Sequence, residues 1–90
     1  MDLKELRDQI DILDGEMLEM FQKRMKLCLQ VAEYKKKNNV AILQTGRWDD
    51  VMETMRHEAA LHDLDPEFIA KVFNAIHEAS VKEQNQILVK

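Results

Sequence analysis

Residues 3–34 read LKELRDQIDILDGEMLEMFQKRMKLCLQVAEY, and this stretch decides the fold. Apolar residues recur in it at alternating steps of three and four, the spacing of one face of an α-helix. This apolar stripe consists of Leu3, Leu6, Ile10, Leu13, Met17, Met20, Leu27, Val31 and Tyr34. Arg24 interrupts the stripe with a positive charge. Because burying a guanidinium without an anionic partner costs several kcal/mol, Arg24 is expected to meet a carboxylate of the protein or of a ligand.

The length of this first helix bears on the quaternary structure. The pattern runs from about Asp2 to Asn38, where Asn38 and Asn39 end it. A helix of that length is roughly 55 Å long, whereas a compact domain of this size has a radius of gyration of about 12 Å. The helix therefore extends past what its own chain can cover. The sequence predicts an intertwined homodimer in which the two long helices run against each other.

The rest of the chain predicts two further helices and no sheet, so that residues 1–90 form one all-α domain of three helices. The apolar residues of 40–45 resemble a short strand, but a lone strand has no partner, and an apolar loop is the favoured interpretation. A second helix is expected near Thr45 or Gly46, with Thr45 as its cap and Asp49 and Asp50 in its first turn. Asp65 and Pro66 are expected to open the third helix.

Composition excludes several classes of protein. The chain is 46% apolar and 33% charged, which is typical of a folded soluble domain. A net charge of -4 argues against nucleic-acid binding, and the basic run at 35–37 is more typical of a solvated helix end than of a functional patch. The N-terminus lacks the basic and then apolar segments of a signal peptide, so a cytoplasmic location is expected. Cys28 is expected to be a buried or half-buried apolar side chain.

Four polar residues on two helices predict a small pocket. Arg24 and Lys35 are eleven residues apart, about 20° around the helix and near 16 Å along it, so both cations point to the same side. On the third helix Ser80 and Gln84 share one face at a spacing of four residues. If the two helices face each other, these groups converge on one ligand. The alternative is that Arg24 pairs with an acidic residue, Lys35 is solvated, and Ser80 and Gln84 face water.

These residues belong to a longer pattern that resembles the all-helical (type II) chorismate mutase family over nearly the whole chain. The pattern consists of Leu6-Arg7, Ile10-Asp11, Leu13-Asp14, Arg24, Val31-Ala32, Lys35, Arg47, Asp65-Pro66-Glu67-Phe68, Ile76-His77-Glu78, Ser80 and Gln84. The resemblance implies a helical dimer with two composite active sites. It implies chorismate as the substrate, prephenate as the product, and a place in aromatic amino-acid biosynthesis. It implies no metal or cofactor.

The resemblance also implies a role for each site residue. Arg24 would bind one carboxylate of the substrate, and Arg7 of a second chain would bind the other. Lys35 would contact a carboxylate and the ether oxygen, and Gln84 would donate to that oxygen. Ser80 and Arg47 would complete the region of the ring carboxylate. Arg7 and Arg24 are seventeen residues, about 25 Å, apart on one helix, which is too far for one chain to hold the same small molecule with both.

Two positions depart from the family pattern. In the family, the residue directly after the arginine that matches Arg47 is commonly acidic and helps to hold the ring hydroxyl of the substrate. In this chain that residue is Trp48. The residue three before that arginine, often Asp, is Gln44. Gln44 is the candidate replacement for the hydroxyl contact, and Trp48 is expected to pack. This version resembles mutase domains fused to 3-deoxy-7-phosphoheptulonate synthases, and the resemblance implies a fused or associated synthase as a partner.

Other activities stay open at this stage. An isochorismate-pyruvate lyase on the same fold and a non-catalytic dimerisation or regulatory module are the alternatives. His57 and His62 are five residues apart, which rotates one about 140° from the other and argues against a helical zinc site. His77 borders the apolar face of its helix and is expected to be a boundary residue rather than a base.

Overall fold

The computed structural model describes residues 1–42 and 44–89, and for Thr45 the backbone only. Three helices account for most of this part of the chain: α1 (Leu3–Lys37), α2 (Thr45–Leu61) and α3 (Pro66–Leu88). No strand occurs among the described residues, which confirms the all-α fold. Within the same residues, no helix is long and apolar enough to cross a membrane.

Helix α1 has the boundaries that the sequence predicts. The side chain of Asp2 caps its first turn by accepting a hydrogen bond from the backbone N–H of Glu5 at 2.8 Å. Asn39 ends the helix in the left-handed region, with φ 58°. The backbone N–H of Val40 then donates to the carbonyl of Lys35 at 2.8 Å, the hydrogen bond of a Schellman motif. Asparagine tolerates this conformation better than most residues, which explains why the helix stops here.

Helix α2 begins at Thr45, as the sequence predicts, but its cap and first turn differ from the prediction. Gln44, not Thr45, occupies the cap position, and its side chain makes no capping hydrogen bond. Thr45 is the first helical residue, so Asp49 and Asp50 lie beyond the first turn, which contains no acidic residue. The connection before it is a loop as expected, although Leu43 lies outside the described residues. Helix α2 ends in a second Schellman motif, with Asp63 at φ 56°.

Helix α3 begins as expected. The side chain of Asp65 accepts a hydrogen bond from the N–H of Glu67 at 3.1 Å, and Pro66 is the first helical residue. Proline fits there because the first N–H of a helix has no partner within the helix, and its fixed φ is already helical.

Helix α3 is central to the packing, because it contacts both other helices while α1 and α2 do not pack directly on each other in the described part. The buried apolar residues along these two contacts are Ala32, Met52, Ala59 and Ala70. The molecule measures 55 × 26 × 14 Å, and its longest dimension matches the length of α1 expected from the sequence. The gap between α1 and α2, closed on one side by α3, is where the candidate site lies.

Candidate active site

A pocket of about 140 Å³ lies between the three helices. Helix α1 supplies two of its cations and α3 its buried polar groups. The beginning of α2, with Arg47, and the preceding loop form the opposite wall. Its lining consists of Arg24, Cys28, Lys35, Ile42, Gln44, Arg47, Trp48, Val51, His77, Ser80, Val81 and Gln84. Six of the seven residues proposed from the sequence therefore meet in one place, and Arg7 is the exception.

Arg24 is half-buried and has no protein carboxylate to neutralise it. Within the described part of the chain, the ion pairs join Lys4 to Asp8 and Arg56 to Glu67, and no acidic side chain lies within ion-pair distance of Arg24. Its guanidinium is 3.5 Å from the sulfur of Cys28, which is a weak acceptor. The structure therefore does not have the acidic neighbour that the alternative interpretation requires.

Lys35 is half-buried and held in place by the backbone. Its Nζ donates to the carbonyl oxygen of Ile42 at 2.9 Å, which ties the loop after α1 to the side of the helix. An ammonium group has three donors. The hydrogen bond to Ile42 uses one of them, so Lys35 can still donate to a ligand while the loop fixes its position.

Ser80 and Gln84 form the buried end of the pocket. They are 4% and 8% exposed, so the alternative in which they face water does not hold. The Nε2 atom of Gln84 donates to the hydroxyl oxygen of Ser80 at 2.8 Å. The Oε1 atom of Gln84 is buried without a hydrogen-bond partner in the described part of the structure. An unsatisfied buried oxygen costs about 1 to 3 kcal/mol, which is typical of a group that a ligand or a rearrangement satisfies.

Gln44 and Arg47 form the exposed rim at the start of α2. Because the side chain of Gln44 does not cap the helix, its amide can be turned towards a ligand. The guanidinium of Arg47 adds a third cation to the pocket.

Trp48 belongs to a packed group of three side chains that the sequence pattern did not reveal. Its indole N–H donates to the Oδ1 of Asn74 at 3.2 Å. Its ring stacks on the imidazole of His77 with 3.9 Å between centroids and 10° between planes. Trp48 therefore packs, as expected, and also forms part of the pocket wall. The spacing of Asn74 and His77 on α3 was visible in the sequence, but their pairing with Trp48 was not.

His77 is half-buried, as expected of a boundary residue, and it also lines the pocket. Burial lowers its pKa below the usual range, the nearby Arg24 guanidinium lowers it further, and Glu78 opposes the change. The ring is therefore favoured in its neutral form.

Arg7 is exposed on α1 and is not part of this pocket. The structure of one chain does not bring it to the other six residues, in keeping with its distance along the helix. Across the described residues, no group of three His, Cys, Asp or Glu side chains is arranged to hold a metal ion.

The chemistry of this arrangement is that of a site for a small, multiply charged anion. Three cations converge on one pocket whose described lining contains no carboxylate. A hydroxyl and an amide lie at its buried end, where little water competes for hydrogen bonds. These features define an all-helical domain whose pocket is suited to bind and orient a compact polyanion through electrostatic contacts.

Comparison with known proteins identifies the family. Residues 6–85 match the family described as chorismate mutase type II. A 4-amino-4-deoxychorismate mutase of Streptomyces venezuelae is 33% identical over 75 residues, 83% of this chain and 73% of that protein. A second protein of that name, from Streptomyces pristinaespiralis, is 31% identical over 74 residues, 82% of this chain and 57% of its own length. A bifunctional chorismate mutase/prephenate dehydratase of Buchnera aphidicola is 33% identical over 89 residues, 99% of this chain.

The chain belongs to the type II chorismate mutase family. This membership and the relatives support chorismate mutase activity and make the chain an isomerase. The chain spans only 23% of the length of the bifunctional Buchnera relative. That relative joins its mutase to a prephenate dehydratase, whereas the synthase partner suggested by the sequence stays a prediction.

Proposed function

We propose that the chain rearranges chorismate to prephenate in composite sites of a homodimer. The observation that carries this proposal is the half-buried Arg24, which has no carboxylate partner in the described structure and lies at a pocket with Lys35 and Arg47. Chorismate has two carboxylates and an ether oxygen. It is therefore a ligand whose negative charges match the unpaired cations.

The reaction is a concerted rearrangement within one molecule, so it requires no nucleophile, metal or proton carrier. Its rate depends on holding the reactive conformer and on stabilising negative charge at the ether oxygen as the bond breaks. In the proposal, Arg24 and the Arg7 of a second chain each hold one carboxylate, and Arg47 adds a contact near the ring carboxylate. Lys35 and Gln84 donate to the ether oxygen. Such donors accelerate the reaction because their interactions strengthen towards the transition state.

Gln84 can reach its proposed role by turning its amide over. A rotation about the last side-chain torsion keeps a hydrogen bond with Ser80, whose hydroxyl then donates to the glutamine oxygen. The same rotation brings the NH₂ group to where the unsatisfied Oε1 lies. Ser80 would thus hold Gln84 in the orientation that donates to the substrate.

The homodimer is supported by apolar surface that one chain leaves uncovered. The stripe residues from Leu3 to Met20 are all exposed, Ile10 by 55% and Leu13 by 57%. A groove of about 450 Å³ between α1 and α3 is mostly apolar and is lined by Phe21, Arg24, Met25, Val72, Ala75, Ile76 and Ala79. A second chain packed on these surfaces would also bring the Arg7 that the site lacks. The single-chain pocket is below the roughly 300 Å³ at the lower end of ligand pockets, which suits a site completed by another chain.

The direct test is to incubate the purified protein with chorismate and to follow the loss of its absorbance, with identification of the product by mass. Prephenate is expected, and the Arg24→Ala variant serves as the control for a contaminating enzyme. Parallel incubation with isochorismate tests the lyase alternative, for which pyruvate would be the product. No consumption of chorismate by a folded dimer would contradict the proposal.

A second candidate substrate is 4-amino-4-deoxychorismate, because two relatives are named as mutases of that compound. It differs from chorismate by an amino group in place of the ring hydroxyl. A synthase partner and a cytoplasmic location remain predictions from the sequence.

A further inference from the structure

The charges around the pocket are of one sign. Arg24, Lys35 and Arg47 are cationic, and the described lining residues include no aspartate or glutamate. The remaining titratable side chains of the lining are Cys28 and His77. The protein therefore offers a ligand several positive charges and no negative one.

Trp48 gives the opposite wall of the pocket neither a carboxylate nor a hydrogen-bond acceptor for a cation, because an indole N–H is only a donor. The indole N–H of Trp48 donates to Asn74, and one face of its ring stacks on His77. A cation could bind the face of a free tryptophan ring, but here stacking on the imidazole covers one face. The acceptors that the lining offers an ammonium, such as the Oε1 atom of Gln84, are uncharged and do not neutralise its charge.

We propose that this pocket selects its substrate by charge, accepting the ring hydroxyl of chorismate and rejecting the ammonium group of 4-amino-4-deoxychorismate. This inference rests on the proposed function and decides between its two candidate substrates. The hydroxyl and amino groups are similar in size, so steric exclusion separates them poorly. At neutral pH, however, one substrate is a dianion and the other carries an added positive charge close to the cations.

The size of the effect follows from Coulomb interaction in a partly solvated pocket. Both compounds bring two carboxylates to the three cations of the pocket, so a positive charge remains in excess. An ammonium placed near this excess charge is disfavoured by about one to two powers of ten in binding at the effective dielectric of a protein surface. The hydroxyl of chorismate causes no such loss of affinity, because it carries no charge and can form a hydrogen bond with the amide of Gln44. A selectivity for chorismate of about tenfold or more in kcat/KM is expected.

Trp48 is the position at which this selection can be changed without removing a cation. It lines the pocket next to Arg47. The Trp48→Glu variant adds a carboxylate there, and Trp48→Gln is the matched control, since it is nearly the same size without the charge. Both variants lose the stack on His77, so the difference between them isolates the charge.

The experiment measures kcat/KM of the dimer for both compounds with the wild-type protein and the two variants. We expect the wild-type preference for chorismate to fall by about tenfold in Trp48→Glu relative to Trp48→Gln. In the wild-type protein, raising the pH towards the pKa of the amine should also raise turnover of the amino compound relative to chorismate. This second measurement needs no variant, and any change in the protonation of the protein acts on both substrates.

Equal kcat/KM for the two compounds in the wild-type protein would overturn the inference while leaving the proposed function in place. Turnover of the amino compound alone would overturn both. Turnover of neither would overturn the proposed function. Calorimetric binding of the two compounds would then decide the inference, and equal affinity would overturn it.

Discussion

The two halves of α1 carry the same apolar stripe but have different surroundings. In the N-terminal half, from Leu3 to Met20, every stripe residue is exposed. In the C-terminal half the stripe residues Leu27, Val31 and Tyr34 are also exposed, by 46 to 65%. Beside the stripe, however, the helix packs on α3, Ala32 is fully buried, and Arg24 and Lys35 face the pocket. The period of the sequence is unchanged between them, so periodicity shows which residues share a face and not what covers that face.

The two halves of α1 therefore have different roles. The covered half builds a site with its own chain, and the uncovered half has apolar surface and Arg7 to offer to another chain. If the dimer proposal is right, changes in the two halves should have related effects on one active site.

The largest effect is expected from removing either arginine. We expect kcat/KM to fall in Arg24→Ala, in the covered half, and in Arg7→Ala, in the uncovered half. Each fall should correspond to about 3 to 4 kcal/mol of lost transition-state stabilisation, because each variant would leave a substrate carboxylate unpaired. Circular dichroism should show an unchanged fold. Steady-state kinetics with chorismate measures the loss.

Mixing the two variants separates a composite site from a site within one chain. A heterodimer has one site with both lesions and one with neither, so about a quarter of all sites should be whole after random exchange of equal amounts. Part of the activity should therefore return. If exchange is verified and no activity returns, both arginines act within one chain and the composite dimer is wrong.

The next largest effect is expected from disrupting the contact between a second chain and the apolar stripe in the N-terminal half of α1. Leu13→Asp places a charge on the stripe and should lower the free energy of unfolding by about 2 to 3 kcal/mol per chain, if a second chain buries that residue. Sedimentation should show dissociation, and the wild-type unfolding midpoint should rise with protein concentration.

Ile12→Asp is the matched control for this change. Ile12 is 63% exposed and lies about 100° around the helix from Leu13. It should therefore have the smaller effect. A wild-type protein that sediments as a stable folded monomer at micromolar concentration would contradict the dimer.

A smaller effect is expected at the rim of the pocket. Gln44→Ala should weaken substrate binding by about 1 kcal/mol, the value of one neutral hydrogen bond, and more than Trp48→Phe does. The reason is that Trp48 already uses its N–H on Asn74. Substrate titration of both variants measures the difference, and equal, negligible effects would mean that neither side chain holds the ring hydroxyl.

The smallest effect is a pH dependence of stability from His77, which borders the covered half. Burial and Arg24 lower its pKa in the folded state, so below the unfolded value of about 6.5 the unfolded chain binds more protons. The contribution of His77 to stability is therefore complete above that pH and is lost as the pH falls towards the lowered pKa. Urea unfolding between pH 5 and 7.5 should show this slope, and His77→Asn should reduce it.

The exposed His57 provides the control for that measurement. His57→Asn should leave the slope nearly unchanged, because the ring is not packed against Trp48 or Arg24. A slope that is the same in His77→Asn and the wild-type protein would show that other groups cause the pH dependence.

Much of the fold was predictable because its causes are local. The step of three and four residues defined α1, Asn38 and Asn39 marked its end, and Asp65 with Pro66 marked the start of α3. The error at the start of α2 also has a local cause: a preferred capping residue, Thr45, follows the position that the backbone uses as the cap. Capping preference is a tendency of about 1 kcal/mol, which the packing of the loop can override.

The sequence by itself determined which side chains share a face of a helix, because the helical repeat fixes that order over any length. It thus placed Arg24 and Lys35 on one side of α1, and Ser80 and Gln84 on one face of α3. Only the tertiary structure decided that these faces meet, and that Trp48 pairs with Asn74 and His77 more than twenty residues away. Such pairings depend on how whole helices cross and pack, which is the sum of many weak contacts and leaves no periodic signal in the chain.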